Sequence, residues 1–151
     1  MVYLDSSVLI AFLYEERDQS EKFSAAQRFM EAVRQKKVQA AVSFYALPEL
    51  YDFVKSHQSE IEVSSVFRLG LVELFLVPLD IFPFLSRELF NDSRKKIVIV
   101  DADDARHVAV ALTRQCSAII TFDHHFQQVR DLIPVFTPDE YLATLTESDG
   151  E

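Results

Sequence analysis

The scarcity of glycine is the sequence feature that most limits the folds open to this chain. Only two glycines, Gly70 and Gly150, occur among its 151 residues. The chain therefore contains neither a GxGxxG turn nor a P-loop, which argues against a Rossmann dinucleotide fold and against an NTPase. An all-β sandwich uses many turns that contain glycine, so this fold class is disfavoured as well.

Short apolar runs alternate with longer segments in which apolar residues recur at helical spacing. The runs predict strands at residues 2–4, 38–43, 75–79, 117–121 and 134–136, with an extended segment at 97–100. The helical pattern predicts helices at residues 8–14, 20–37, 44–56, 61–74, 83–90, 103–115 and 138–145. This alternation predicts an α/β fold of three layers, in which a short, mostly parallel central sheet lies between helices. We expect Ser6 or Ser7 to cap the first helix and Ser43 to cap the third.

The length of the chain fits one domain, which we place at residues 1–145, followed by a flexible tail at 146–151. The single cysteine, Cys116, lies in an apolar stretch, so we expect it to be buried, and no internal disulfide can form. No apolar stretch reaches the ~18 residues of a membrane span, and no signal peptide is recognisable. We therefore expect a cytoplasmic protein without a membrane partner.

Four acidic residues stand where predicted strands give way to loops or helices. Asp5 and Asp123 each follow an apolar strand, whereas Glu49 and Asp104 lie in the first turns of helices that follow strands. The carboxyl ends of parallel strands share one edge of the sheet, and ligands of such sheets bind there. We therefore expect these four carboxylates to converge.

Converging carboxylates require a compensating charge. Two like charges ~4 Å apart repel by about 4 kcal/mol at an effective dielectric constant of 20. Carboxylate oxygens suit Mg²⁺ or Mn²⁺ better than zinc, and the sequence has no Cys/His set with zinc spacing. A cation held in this way is suited to the hydrolysis of phosphodiester bonds. The sequence thus predicts a Mg²⁺ or Mn²⁺ site.

Each acid also has a purely structural interpretation. The two that follow strands can begin turns, and Glu49 can stabilise the N-terminus of its helix. Asp101 can cap the helix that contains Asp104, which is a variant of the capping box. Asp101 and Asp103 are also close enough to Asp104 in sequence to compete with it as metal ligands. Capping or solvation is the alternative for both.

Four motifs carry a resemblance to a known family. They are YLDSSVLI at residues 3–10, SFYALPEL at 43–50, DARHVAVA at 104–111 and IITFDHHF at 119–126. Together they resemble the PIN domain, and most of all the toxin nucleases of virulence-associated toxin–antitoxin pairs. The resemblance extends from residue 1 to about residue 136, which is nearly the whole chain.

The resemblance implies an endoribonuclease that requires Mg²⁺ or Mn²⁺ and leaves a 5′-phosphate and a 3′-hydroxyl on the cleaved RNA. The residues that would bind the metal and carry the catalysis are Asp5, Glu49, Asp104 and Asp123. Ser6 and Thr121 would orient carboxylates, with ordinary capping and strand-end hydrogen bonding as the alternative. The resemblance also implies a homodimer and, often, a small antitoxin protein that blocks the site.

The histidines and phenylalanines are expected to serve the fold. His107 follows Asp104 by three residues, and we expect it to be a partly buried, hydrogen-bonded histidine rather than a proton shuttle. His124 and His125 are expected to be polar turn residues. The phenylalanines, thirteen in number, are expected to pack in the core or a dimer interface rather than stack on bases.

The net charge opposes the nuclease interpretation. It is -9, from 24 acidic and 15 basic residues, whereas a nucleic-acid-binding protein normally presents a basic face. Basic residues are clustered only locally, at 34–37 and 94–96. One alternative is therefore a PIN-fold protein that binds RNA or protein without turnover. Another is a phosphatase with Asp5 as nucleophile, but this chemistry would require a second acid where Ser7 stands.

Overall fold

The computed structural model describes residues 1–16 and 20–148. The strands are β1 (Val2–Leu4), β2 (Ala40–Ser43), β3 (Asp80–Phe82), β4 (Ile119–Ile120) and β5 (Val135–Phe136). They form one sheet in the order β3-β2-β1-β4-β5, and each neighbouring pair is parallel. The α/β fold with a parallel sheet is therefore confirmed.

Helices cover both faces of this sheet. They are α1 (Ser6–Tyr14), α2 (Glu21–Arg34), α3 (Ala46–His57), α4 (Glu60–Phe75), α5 (Arg87–Arg94), α6 (Ala102–Thr113) and α7 (Pro138–Ser148), with a 3₁₀ segment at His124–Val129. Within the described residues, these helices are too short or too polar to cross a bilayer. Because α7 ends at Ser148, residues 146–148 of the predicted tail are helical, and residues 149–151 lie outside the described part.

Alternate residues of the strands face two separate hydrophobic clusters. Val2 and Leu4 pack in one cluster, with side chains of α1 to α4. Tyr3, which lies between them, packs in the other cluster, with side chains of α6. Successive side chains of a strand point to opposite faces, so the sheet is covered on both sides. The three-layer arrangement is confirmed, and burial on both faces holds the strand ends in place.

The third strand lies further along the chain than predicted. α4 continues through Phe75, and β3 begins only at Asp80, where it pairs with β2. The strand predicted at 75–79 is therefore wrong. A short apolar run cannot be assigned to a helix end or a strand from its periodicity alone. β3 is an edge strand whose Asp80 and Ile81 side chains are exposed, and its three residues are too few to show a strand pattern.

Two neighbouring elements also differ from the sequence prediction. α5 begins at Arg87 instead of Pro83, because the hydroxyl of Ser86 caps it by accepting a hydrogen bond from the Leu89 N–H. The segment at 97–100 joins no strand. The Arg94 guanidinium instead donates hydrogen bonds to two backbone carbonyl groups of this segment.

The cap of α1 is Asp5, so the prediction of Ser6 or Ser7 is wrong. The Asp5 carboxylate accepts a hydrogen bond from the Ser7 N–H, and both serines lie inside the helix. Ser43 does not cap α3 either. Its hydroxyl lies 2.6 Å from the Tyr3 hydroxyl in the core, and α3 begins without a side-chain cap.

Candidate functional site

Asp5 is held at the end of β1 by donors from two parts of the chain. Its Oδ2 accepts hydrogen bonds from the Ser7 N–H (3.1 Å), the Ser7 hydroxyl (2.6 Å) and the Thr121 hydroxyl (2.9 Å). Among the described residues, Oδ1 has only a long contact, 3.5 Å, with the Ser6 hydroxyl. The residue is 3% exposed. Asp5 therefore has one saturated oxygen and one that remains available to a ligand.

Thr121 connects the acids that follow β1 and β4. Besides donating to Asp5, its hydroxyl accepts a hydrogen bond from the Asp123 N–H at 2.9 Å. The sequence suggested Ser7 only as a helix cap and not as a group that orients a carboxylate, yet its contact with Asp5 is shorter than that of Ser6. The signal for Ser7 was its position two residues after a capping aspartate, where a hydroxyl can reach the carboxylate.

Glu49 lies in the first turn of α3 and contacts a buried histidine. Its Oε1 is 3.0 Å from Nε2 of His107, which is on α6. Nδ1 of the same ring is 2.6 Å from the Tyr3 hydroxyl, which in turn contacts Ser43. The histidine is fully buried and both ring nitrogens have partners. His107 is thus the hydrogen-bonded histidine that was expected, although more deeply buried.

Glu49 and His107 favour each other's charged form. Burial works against charge on Glu49, but the hydrogen bonds from His107 and Ser6 and the attraction of His107 lower its pKa. Burial also works against charge on His107, but the hydrogen bond to Glu49 and the nearby carboxylates raise the imidazole pKa. Both shifts favour a Glu49 carboxylate that accepts a hydrogen bond from the Nε2–H of His107.

The pKa of Asp104 is shifted in the opposite direction from that of Glu49. Burial and the negative charges of Asp5, Asp101 and Asp123 raise its pKa to about 6. Asp5 and Asp123 are distant from Asp104 in sequence, so their influence on this pKa reflects the fold. The shift indicates that negative charge accumulates at the first turn of α6.

Asp123 caps the 3₁₀ segment that follows β4. Its Oδ1 accepts a hydrogen bond from the His125 N–H at 2.8 Å and lies 3.2 Å from Nδ1 of the same residue. Together with Glu49 and Asp104, these residues line a cleft of about 710 Å³. The described lining contains five acidic residues and no lysine or arginine. A phosphate group therefore requires a cation to approach it closely.

Asp101 and Asp103 also line the cleft, and each has a local partner. Asp101 caps α6, since its Oδ1 accepts hydrogen bonds from the N–H groups of Asp103 (2.8 Å) and Asp104 (3.1 Å). Asp103 forms an ion pair with Arg106 on the next turn. The capping that the sequence suggested for Asp101 is present, and neither contact removes these acids from the cleft.

The donor set fits a divalent cation. Two groups of side chains, Asp5 with Glu49 and His107, and Asp104 with Asp123 and His125, each bring their ligand atoms within 4.8 Å of one another. Carboxylate oxygens predominate, which suits Mg²⁺ or Mn²⁺. A cation would also relieve the repulsion that raises the pKa of Asp104. Because both nitrogens of His107 have partners, its place is beside Glu49 rather than on the metal.

Comparison with known proteins gives one family and several similar folds. A family model described as PIN domain matches residues 1–125. No curated protein matches the chain significantly. Among solved structures, VapBC2 from Rickettsia felis, bound to a DNA fragment from its promoter, is similar with a TM-score of 0.63 and 18% identity, over 89% of this chain and 97% of the other.

Two further structures have a similar fold. VapC20 from Mycobacterium tuberculosis, described as a toxin that cleaves the sarcin-ricin loop, has a TM-score of 0.61 and 15% identity over 84% of this chain and 93% of its own. VapBC-1 from nontypeable Haemophilus influenzae has a TM-score of 0.57 and 16% identity over 92% and 99%. At these identities the likeness concerns the fold.

Proposed function

The chain belongs to the PIN-domain family, and from this premise we propose that it is a metal-dependent endoribonuclease, the toxin of a toxin–antitoxin pair. The proposed catalytic and metal-binding residues are Asp5, Glu49, Asp104 and Asp123, with Mg²⁺ or Mn²⁺ as the cofactor. One observation carries the proposal: Asp104 lies partly buried among acids from other segments, so that burial and the negative charges of Asp5, Asp101 and Asp123 raise its pKa to about 6. This concentration of charge is what a cation-dependent hydrolase needs.

The protein's own groups have distinct tasks in this proposal. A bound Mg²⁺ or Mn²⁺ would supply an activated water molecule and neutralise charge on the phosphate and the leaving oxygen. Ser7 and Thr121 hold Asp5 so that its Oδ1 is available. His107 keeps Glu49 ionised and limits its side-chain rotation. Asp104 must lose its proton before it can bind the cation. Metal binding by this residue should therefore need a pH near or above its pKa of about 6.

RNA binding by so acidic a protein requires explanation. The cleft carries five acids, and the whole chain has a net charge of -9. The proposal is that phosphate groups of the RNA contact the bound cation, and that the basic residues at 94–96 contact the RNA backbone. The stretch 97–100 separates this basic segment from Asp101. Binding should therefore be weak without metal, and its salt dependence should be shallow because few basic residues contact phosphates.

A homodimer and a small antitoxin partner belong to the same proposal. Two of the similar structures are VapBC structures, which supports a partner protein for a chain of this fold. Several apolar side chains at the C-terminal end of α4 are exposed, namely Leu69, Val72, Phe75 and Leu76. Exposed apolar side chains in such a group are typical of protein–protein contact surfaces. The buried thiol of Cys116 suits the reducing cytoplasm that we propose as the location.

A second candidate is a PIN-fold protein that binds RNA or protein without turnover. The net charge of -9 is the observation behind it, because so acidic a protein attracts RNA poorly, whereas the clustered acids of the cleft argue for the nuclease. The two candidates differ in one measurable respect. The nuclease cleaves RNA when metal is present, whereas the dormant protein binds the metal and leaves RNA intact.

The test is cleavage of a mixed RNA pool with EDTA, Mg²⁺ or Mn²⁺, using wild-type protein and the Asp5→Asn variant. Asp52→Asn is a matched control, because Asp52 is an exposed acid on the outer surface of α3. We expect cleavage by the wild type and by Asp52→Asn with metal, and none by Asp5→Asn. Full activity in EDTA or in Asp5→Asn would overturn the proposal, and Mn²⁺ binding without cleavage would favour the dormant protein.

A further inference from the structure

Four polar side chains form a continuous line through the core between β2 and the cleft. The Ser43 hydroxyl contacts the Tyr3 hydroxyl at 2.6 Å, Tyr3 contacts Nδ1 of His107 at 2.6 Å, and Nε2 of His107 contacts Glu49 at 3.0 Å. Ser43, Tyr3 and His107 are each at most 1% exposed. Glu49 is the only member that lines the cleft.

The position of His107 is unusual for a polar side chain. It lies on the buried face of α6, and the four residues that follow it, 108–111, are apolar and fully buried. Burial of a polar ring is unfavourable unless its nitrogens find partners. Apolar residues in place of both His107 and its buried partner would fill the same space without that requirement, and such a double replacement is often nearly neutral for stability. Stability of the core therefore does not explain a histidine here.

The line of hydrogen-bonded side chains fixes the position of the Glu49 carboxylate. The Glu49 side chain has three rotatable bonds, and one quarter of it is exposed, so packing alone does not fix its carboxylate. The Nε2–H of His107 donates to Oε1 and holds that oxygen. The other side of the ring is held by Tyr3, which lies on β1 two residues before Asp5. The orientation of Glu49 therefore depends on β1, the strand that Asp5 directly follows.

We propose that His107 is a positioning residue: anchored on β1 through Tyr3, it sets the Glu49 carboxylate in the geometry that a divalent cation requires. The inference rests on the proposed function. Partners that orient a metal-binding group typically contribute 10- to 100-fold to metal affinity. His107 acts through Glu49, not through contact with the cation.

Two substitutions of similar size separate this role from simple packing. His107→Met removes the donor to Glu49, whereas His107→Gln retains an N–H₂ group at about the reach of Nε2. In both variants Tyr3 keeps Ser43 as a partner. The readout is the dissociation constant for Mn²⁺ alone, measured by electron paramagnetic resonance of the free ion, with circular dichroism in EDTA to verify the fold.

We expect His107→Met to weaken Mn²⁺ binding by roughly 10- to 100-fold and His107→Gln to restore most of that loss. In a Glu49→Gln background, His107→Met should cause no further loss, because its effect passes through Glu49. Equal losses in the Met and Gln variants would assign His107 to packing and overturn the inference. A further loss in the Glu49→Gln background would overturn it as well.

Tyr3→Phe provides a test that adds no atoms to the core. It removes only the hydroxyl that anchors the ring, so Mn²⁺ binding should weaken by a smaller factor than in His107→Met. Unchanged affinity in Tyr3→Phe would overturn the anchoring on β1. Wild-type protein that binds no Mn²⁺ would overturn the proposed function itself. Tight wild-type binding with equally tight binding by folded His107→Met would overturn only the role of His107.

Discussion

The two halves of the acidic cluster differ in how the protein compensates their charge. Asp5 and Glu49, the anchored pair, receive hydrogen bonds from hydroxyl groups and from a buried imidazole. Asp104 and Asp123, the second pair, also stand at the beginnings of helical segments, but Asp104 lies among acids that repel its charge. The pKa of Glu49 is lowered by its partners, whereas that of Asp104 is raised by burial and by neighbouring acids.

The anchored pair therefore supplies a fixed geometry to the cluster, whereas Asp104 supplies negative charge. The orientation of the anchored pair is determined by the folded protein before any ligand arrives. Asp104, in contrast, holds a charge that the protein compensates poorly, so a cation gains most of its electrostatic attraction there. Substitutions in the two pairs should therefore change metal affinity, pH dependence and stability in different ways.

The largest effect is expected from Asp5→Asn. Loss of a direct ligand should exceed the 10- to 100-fold effect of losing an outer partner, so RNA cleavage should fall by at least about 100-fold. Stability should change little, because asparagine caps a helix as well as aspartate does. Cleavage rates and thermal melting of the same preparations measure both effects. Similar cleavage by Asp5→Asn and Asp52→Asn would remove Asp5 from the site.

The next effect concerns the donors of the anchored pair. Thr121→Val keeps the shape of the side chain and removes the hydrogen bond to Asp5, so Mn²⁺ affinity should fall roughly 10-fold. Ser6→Ala should change it less, because the Ser6 hydroxyl is 3.5 Å from Asp5 and because Glu49, which Ser6 also contacts, keeps its hydrogen bond with His107. Titration with Mn²⁺ by calorimetry compares the two. A larger loss in Ser6→Ala than in Thr121→Val would contradict the hydrogen-bond pattern described for Asp5.

A smaller effect should appear in the pH dependence of metal binding. Asp104 with a pKa of about 6 retains a proton below that pH, and the proton competes with the cation. Mn²⁺ affinity should therefore rise as the pH increases from 5 to 7. Asp104→Asn should bind Mn²⁺ more weakly at every pH. Its affinity should also rise less steeply between pH 5 and 7, because the carboxyl group that titrates there is missing. An unchanged slope in the variant would show that another group titrates.

The smallest effect is a gain in stability of the metal-free protein. The folded-state pKa of Asp104, about 6, lies above the usual aspartate value of 3.8, so the folded protein holds the proton more tightly than the unfolded chain. Ionisation of Asp104 therefore reduces stability as the pH rises from about 4 to 6, and the loss is complete above 6. After discounting for solvent screening, Asp104→Asn should stabilise the apo protein by about 1 kcal/mol at pH 7.5.

Saturating Mn²⁺ should reverse the sign of this stability difference. A ligand that binds only the folded state stabilises it by mass action, and the wild type should bind Mn²⁺ more tightly than Asp104→Asn. Denaturant unfolding in EDTA and in Mn²⁺ measures both conditions. A variant that is less stable than the wild type in EDTA would contradict the accumulation of charge at α6.

The parts of the site that follow directly from strand and helix boundaries were predictable. Asp5 and Asp123 come after short apolar runs, and such runs become buried strands whose ends the core holds in place. Glu49 and Asp104 lie in the first turns of helices, which begin at the same edge of the sheet. The local pattern was therefore sufficient to name these four acids.

Hydrogen bonds between distant residues were not predictable in the same way. Ser7 approaches Asp5 only because Asp5, rather than a serine, caps α1. His107 meets Tyr3 and Glu49 only after α6, β1 and α3 have packed together. Whether Asp101 caps a helix or binds a metal depends on an orientation that several nearby N–H groups and charges determine together.

Local sequence patterns were enough to predict the class of fold and the placing of the four acids at one edge of the sheet, because alternation of apolar residues and the residues at element ends are local properties. The role of these acids in metal binding stays a prediction. Only the tertiary structure decided where β3 pairs, which oxygen of Asp5 remains available and which acid carries a raised pKa. Strand pairing, desolvation and charge repulsion depend on distances between residues that are far apart in the chain. These distances are set by packing of the whole sheet with its helices, and no local pattern encodes them.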